Sequence, residues 1–356
     1  MVEPMRKTTN KSPLFRFFAV FLCLVMTLPL AGCGEARQSQ DTGFAMNCSY
    51  SVMAYGKRGE AGIRAAQGVI ESMETMLDPE LPTSICYAIN HAEGENVVVS
   101  AQIAKMLSTA ATVYKQSGGA LDLSIYPLVK RWGFEDGKYY LPAEEEIWAA
   151  RARLCFDQMV LTSFPSTGGY AVSFPATGQI SFAAVAKGNA AENAIDAMRQ
   201  AGVTSGIVTL GDNIQTLGSK PDGSPWIVGI QDPQYLSTYL GVINVGETAV
   251  VTSAGHQCSF VASNGRTYHH ILSPVTGYSV NNSLLSVTVI CEDGTMADAL
   301  STAMYVLGET RALNYWRTYG GFEMILVTAD DRIVCTKGLI DNFTQTVDSY
   351  TLSFSE

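Results

Sequence analysis

The sequence is poor in the residues that build metal cages. Histidine occurs four times in 356 residues, and the eight cysteines are scattered with no Cys-x-x-Cys pair. A zinc site held by Cys and His therefore has no donors at workable spacing. Positive charge is scarce too: 23 Lys and Arg stand against 33 Asp and Glu, a net charge of −10. That balance argues against nucleic acid or an anionic lipid surface as a main partner. There is no Walker spacing of glycines, no internal repeat, and no low-complexity linker that would split the chain. The 47% hydrophobic content is ample for a large core, so a second domain is not required.

What is present begins with an address. Arg6, Lys7, Lys11 and Arg16 precede an apolar run from Phe17 to Leu30, and Leu30-Ala-Gly-Cys33 follows. This resembles a bacterial lipoprotein signal over residues 1–32, with Cys33 lipidated as the first mature residue; an uncleaved anchor is the alternative, although the run is short for a span. Either reading predicts a chain tethered at the extracytoplasmic face of a bacterial membrane. Removing residues 1–32 leaves 19 basic residues against 32 acidic ones, a net charge of −13. Residues 33–44 are polar and read as a flexible tether, leaving 45–356 as one domain. Cys48, Cys86, Cys155, Cys258, Cys291 and Cys335 remain; disulfides are permitted outside the cytoplasm, but several sit in apolar runs and read as buried thiols.

Patterning predicts an opening strand over Met46 to Tyr55 and helices over Ile63 to Leu77, Ser100 to Gln116, Pro142 to Leu154, Lys187 to Ala201, Thr295 to Leu307 and Arg311 to Tyr319. Asp78 to Glu95 reads as a loop. From Asp157 onward short apolar runs alternate with hairpin-length turns. The fold class expected is α+β, a largely antiparallel sheet core with flanking helices.

Several blocks carry chemistry. On the helix opening at Thr295, read as its N-cap, Asp298 and Thr302 fall at i and i+4 on one face near the positive end of the dipole. That is a hard, all-oxygen half-site of the kind Mg²⁺ takes when phosphate oxygens supply the rest. Ile180-Ser-Phe-Ala-Ala-Val-Ala-Lys-Gly188 leads into a helix, where small residues and Lys187 suit a phosphate; a tight strand-to-helix junction explains it as well. Ser117-Gly-Gly-Ala-Leu-Asp122 allows close backbone approach. Leu210-Gly-Asp-Asn-Ile214 and the segment 218–233 read as mainly structural turns. Tyr268-His-His-Ile-Leu-Ser-Pro-Val-Thr-Gly-Tyr278 sets paired histidines, the usual general bases near neutral pH, ahead of a turn. His91 and His256 read as structural.

In this order, Ala186-Lys-Gly188, Pro225-Trp…Gly229-Ile-Gln-Asp-Pro233, His269-His-Ile…Pro274-Val-Thr-Gly277 and Ala297-Asp-Ala-Leu-Ser-Thr302 resemble the ApbE family, the FAD:protein FMN transferases. The resemblance runs from about Met46 to beyond Gly308. It implies FAD as substrate, Mg²⁺, and transfer of FMN through a phosphoester bond to a Thr or Ser hydroxyl of a target protein with release of AMP. By position it implies metal ligation by Asp298, Thr302 and the Ala184 carbonyl, and FAD contacts at Met46, Ala120, Leu121, Asp122, Ser181, Lys187 and Leu272. His270 is the expected catalytic residue, taking the acceptor's proton. Implied partners are flavin subunits of Rnf-type or sodium-pumping respiratory complexes or other exported redox proteins. The chain departs from the pattern where relatives often carry Asp (Ser181), Gly (Ala183, Asp212, Ala254), Tyr (His256), Arg (Cys258) or Asp or Asn (Ser273), and some carry an acidic residue at Ser301. An Mg²⁺-dependent FAD pyrophosphatase and a non-catalytic FAD-binding lipoprotein are the alternatives.

Overall fold

The computed structural model describes residues 37–135, 137–166 and 168–356; the expected signal and Cys33 lie outside them. A nine-stranded sheet crosses the molecule in the order β1 (Gln38–Ala45), β2 (Cys48–Tyr55), β6 (Gly206–Leu210), β7 (Asn213–Leu217), β10 (Ala249–Ala254), β13 (Leu284–Cys291), β14 (Glu323–Thr328), β15 (Arg332–Thr336) and β17 (Thr351–Ser355). Every pairing is antiparallel except β15 with β17. Smaller sheets join β3 (Val97–Val99), β5 (Gly169–Ser173) and β4 (Val160–Phe164); β16 (Phe343–Gln345), β9 (Tyr239–Val245) and β8 (Trp226–Gln231); and β11 (Ser259–Val261) with β12 (Thr267–His269). The α+β class with a largely antiparallel sheet is what the patterning indicated.

Helices α1 (Gly59–Leu77), α3 (Ala101–Ser117), α6 (Ala183–Gln200), α7 (Gly294–Leu307) and α8 (Glu309–Tyr319) share one hydrophobic core with the sheet; α2 (Ile85–Asn90), α4 (Tyr126–Trp132) and α5 (Glu144–Arg151) are short. The central strands β13, β14 and β15 are buried on both faces. Met324 and Leu326 point into the helical core, while Ile325 and Val327 join Trp226, Ile243 and Phe343 of the β8–β9–β16 layer. Such two-sided burial produces a continuous apolar run instead of strict alternation, and each aliphatic side chain so buried contributes about 1.5–3 kcal/mol. A third cluster gathers Leu128, Trp132, Ile147, Tyr268 and Leu272 beneath β11–β12.

Three expectations are corrected. Residues 38–44, assigned to the tether, belong to β1, which pairs with β2 along its whole length; a polar edge strand shows no core face in its sequence. The loop predicted over Asp78 to Glu95 contains α2, capped by Ser84, whose hydroxyl accepts from Tyr87 N. The helix predicted from Pro142 to Leu154 is shorter, Glu144–Arg151. All six cysteines of the described residues are free, and Cys86, Cys155 and Cys335 are buried.

Candidate active site

The site starts from a helix contact. Gly188 of α6 lies so close to α7 that a Cβ there would stand 2.1 Å from the Gly294 carbonyl oxygen and 2.6 Å from Asp298 Cβ. Only glycine allows this approach. Its N–H, which a regular helix would direct to the Ala184 carbonyl, donates to Asp298 Oδ2 at 2.9 Å. Asp298 is 4% exposed. Burial raises its pKa, while the Lys187 ammonium and the backbone N–H groups of Gly188 and Lys187 pull it down. One turn on, Thr302 Oγ1 lies 3.4 Å from Ser253 Oγ, which also meets Ser301 Oγ at 2.8 Å.

Asp293, not Thr295, caps α7: its carboxylate accepts from Met296 N at 2.8 Å. The Thr295 hydroxyl is occupied elsewhere, donating to Glu192 Oε2 and accepting from Asn189 Nδ2, each at 2.9 Å. Glu192 and Asp293 both bind Lys105 of α3, at 2.6 and 3.1 Å. This lock fixes the register of α7 against α6, and with it the height of Asp298. Helix α6 itself begins at Ala183, so Lys187 is its fifth residue and lies one turn inside the N-terminus.

The paired histidines separate cleanly. His269 Nε2 donates to the Val280 carbonyl at 2.9 Å, its Nδ1 accepts from Ile271 N at 3.3 Å, and its ring meets Tyr305 edge-on. Both nitrogens are spoken for. His270 Nδ1 is buried with no partner, and the residue's backbone N–H is held by the Cys258 carbonyl at 2.9 Å. Burial, then the Lys187 and His269 charges, depress its pKa to about 3, so it is a neutral imidazole with an open nitrogen.

Two residues read as structural from the sequence join this cluster. Asp212, in the β6–β7 turn, feels both Lys187 and His256, and burial raises its pKa. Gln257 donates to its Oδ2. His256 has a buried Nδ1 without a partner and a pKa lowered by burial against the pull of Asp212. Cys48, at the start of β2, has its pKa raised by burial and opposed by Lys187. No local pattern could have revealed the grouping, since its members come from separate turns; the only signal was that Asp212 and His256 both depart from the residues relatives often carry.

The remaining expected contacts fall in three places: the loop joining Ala120–Asp122 to Ser181, the β1–β2 turn, and the Trp132 cluster. Ala120 and Leu121 donate backbone N–H to Ser117 Oγ at 3.1 and 3.4 Å. Asp122 Oδ1 accepts from Ser124 N and Oγ at 2.7 and 2.6 Å, and Ser124 Oγ in turn accepts from Cys155 N. Ser181 N donates to the Leu123 carbonyl at 2.9 Å, joining this loop to the start of α6. Met46 stands in the β1–β2 turn, its N–H bound to Glu74 Oε1 at 2.8 Å. Leu272 is buried in the Trp132 cluster.

The sequence model described as "ApbE family" matches residues 46–326. The chain belongs to that family. The FAD:protein FMN transferase of Treponema pallidum is 29% identical over 306 residues, covering 82% of this chain and 84% of that protein. Among solved structures, the ApbE protein of Thermotoga maritima superposes with a TM-score of 0.75 at 25% identity, covering 82% of this chain and 94% of that one. The apo flavinyl transferase ApbE of Pseudomonas stutzeri gives 0.72 at 25% identity, covering 89% and 96%. The ApbE resemblance read from the motifs is thus borne out, fold and family together.

Among the described residues no three His, Cys, Asp or Glu side chains gather as a metal cage. The donors in place nonetheless fit a hard cation. One buried carboxylate and a hydroxyl one turn away make a hard oxygen pair, which Mg²⁺ accepts when phosphates complete its shell.

Proposed function

We propose that this ApbE family member is an FAD:protein FMN transferase that attaches FMN to a Ser or Thr hydroxyl of a target flavoprotein. The observation that carries the reading is the buried, unpartnered Nδ1 of His270 in the same cluster as Lys187 and Asp298, set in a chain matched by the family over residues 46–326.

The hydroxyl oxygen of the acceptor attacks the phosphorus on the FMN side of the pyrophosphate. The bond from that phosphorus to the bridging oxygen breaks, the bridging oxygen leaves with AMP, and the hydroxyl proton passes to the His270 imidazole. A positioned base of this kind is worth about 10²–10⁴ in rate. Phosphoryl-type transfer needs positioning and charge neutralisation more than covalent help from the protein. Lys187 supplies positive charge beside Asp298, and Asp298, Thr302 and the Ala184 carbonyl would hold Mg²⁺. When bound, that ion neutralises charge developing on the pyrophosphate. The flavin and adenine contacts proposed are Met46, Ala120, Leu121, Asp122, Ser181 and Leu272.

The reading extends to location. Arg6 to Cys33 supports a lipid anchor at Cys33 on the extracytoplasmic face of a bacterial membrane, where flavin subunits of Rnf-type or sodium-pumping respiratory complexes, or other exported redox proteins, present acceptor segments. Among the described residues no helix is long and apolar enough to cross a membrane. A diacylated peptide beginning at Cys33 is the expected product in the membrane fraction; an intact peptide spanning Leu30 to Glu35 as the main species contradicts it.

The decisive assay combines protein, FAD, Mg²⁺ and a target fragment carrying a Ser/Thr-Gly-Ala-Ser/Thr segment. The fragment gains the mass of FMN less water, and AMP appears in equal amount. Free FMN and AMP with no gain by any fragment would replace the transferase with a pyrophosphatase.

A further inference from the structure

The sheet ends at β1, whose only ladder among the described residues is with β2. The two-residue turn Met46-Asn47 has positive φ at both positions, 51° and 59°, and closes on the pair Ala45–Cys48. Hydrogen bonding therefore alternates back along β1. Gly43, Asp41 and Ser39 bond to β2, while Phe44, Thr42 and Gln40 turn their N–H and C=O groups outward. Two bonds confirm the phase: Gly56 N donates to the Arg37 carbonyl, and the outward Thr42 N–H is covered by Asp41 Oδ1 at 2.8 Å. Gln40, Thr42 and Phe44 are exposed, Phe44 by 70%.

This edge leads into the cluster. Its last residue, Ala45, accepts from Cys48 Sγ at 3.4 Å, and Cys48 lies within the fields of Lys187, Asp212 and Asp298. Gly211, beside Asp212, is close enough that a Cβ there would touch Cys48 Sγ at 3.2 Å. The Met46 turn at the end of the edge is pinned by Glu74. A polypeptide that reaches this cluster along the edge in extended form needs donors and acceptors for its backbone where water no longer supplies them.

We propose that the outward edge of β1 docks the acceptor polypeptide as an added strand, which carries its Ser or Thr past Phe44 to the Met46 turn. The proposal rests on the transferase reading. Main-chain bonds to Phe44 and Gln40 supply affinity without regard to sequence, and the exposed Phe44 ring seats one apolar side chain of the incoming strand. With the Thr42 N–H covered, Gln40 and Phe44 are the outward donors this part of the edge offers.

Gln40→Pro tests this directly. Its N–H faces away from β2, so proline removes a donor from the edge and none from the ladder; Gln40→Ala is the control. Phe44→Lys is the second variant, because a 70% exposed side chain tolerates the change and a lysine blunts the edge. Each full-length protein is assayed with FAD, Mg²⁺ and the acceptor fragment, and FAD affinity is measured alone. The expected result is a tenfold or greater rise in KM for the fragment in Gln40→Pro and Phe44→Lys, with FAD affinity and melting temperature held and Gln40→Ala unchanged. An unchanged KM in both variants overturns the proposal. So does a wild-type dimer in sedimentation that Gln40→Pro dissociates, since the edge would then serve a second copy. If the wild type modifies no protein at all, the transferase reading falls and docking falls with it; transfer that proceeds equally in every variant removes docking alone.

Discussion

At the scale of the residue, the site separates groups that the sequence sets side by side. His269 and His270 are neighbours, yet one has both ring nitrogens bonded and the other has an open Nδ1. His270→Ala should slow FMN transfer by about 10²–10⁴ with FAD binding retained. His269→Ala should leave the chemical step closer to wild type and cost about 1 kcal/mol of stability through the lost bond to Val280. Single-turnover rates and thermal melts on both variants check the contrast. Asp298 gives the converse case. Burial raises its pKa, so ionising it opposes folding unless a cation answers the charge. Asp298→Asn should raise the metal-free melting temperature by about 2 °C, abolish the further rise that Mg²⁺ gives the wild type, and eliminate transfer. Calorimetry with and without Mg²⁺ decides it; a wild-type-sized Mg²⁺ shift in the variant would mean that the cation sits elsewhere.

At the scale of the element, the helix pair α6 and α7 is the scaffold. Gly188→Ala should destabilise the fold by about 1–3 kcal/mol, because the new methyl meets the Gly294 carbonyl at 2.1 Å. It should also weaken Mg²⁺ binding through displacement of Asp298, read by denaturant melts and metal titration. Elements with a buried stripe were legible: Ile63, Ile70 and Met73 mark α1, and the Asp298–Thr302 spacing stood out because i and i+4 share a face. Others were not. The β1 sequence Gln-Ser-Gln-Asp-Thr-Gly-Phe-Ala exposes most of its residues, so no period distinguishes it from a tether. Asp293 and Thr295 are both good caps by type; only the presence of Glu192 and Asn189 on α6 tells that the Thr295 hydroxyl is already engaged. Asp212 and His256 feel each other's charge from turns some forty residues apart in the chain, a relation no local pattern encodes.

At the scale of the whole molecule, acid should loosen the fold through its histidines. The unfolded chain takes up these protons near pH 6.5, whereas burial holds His270 neutral down to about 3 and lowers His256 and His269 too. Between those limits the unfolded state binds more protons, so stability falls as pH falls. Asp122, Asp212 and Asp298, raised by burial, act in the opposite sense. His270→Gln should therefore shrink the drop in melting temperature between pH 7 and pH 5 by about 2 °C, measured by calorimetry in buffers of equal ionic strength. The nine-stranded sheet has a consequence of another kind. Among the described residues its strands lie side by side in the order of their numbers, from β1 to β17, with none inserted between earlier ones. As the polypeptide leaves the ribosome, each new strand of this sheet finds its neighbour already waiting at the growing border. Assembly can proceed like a zip drawn in one direction, without prising apart pairs already made.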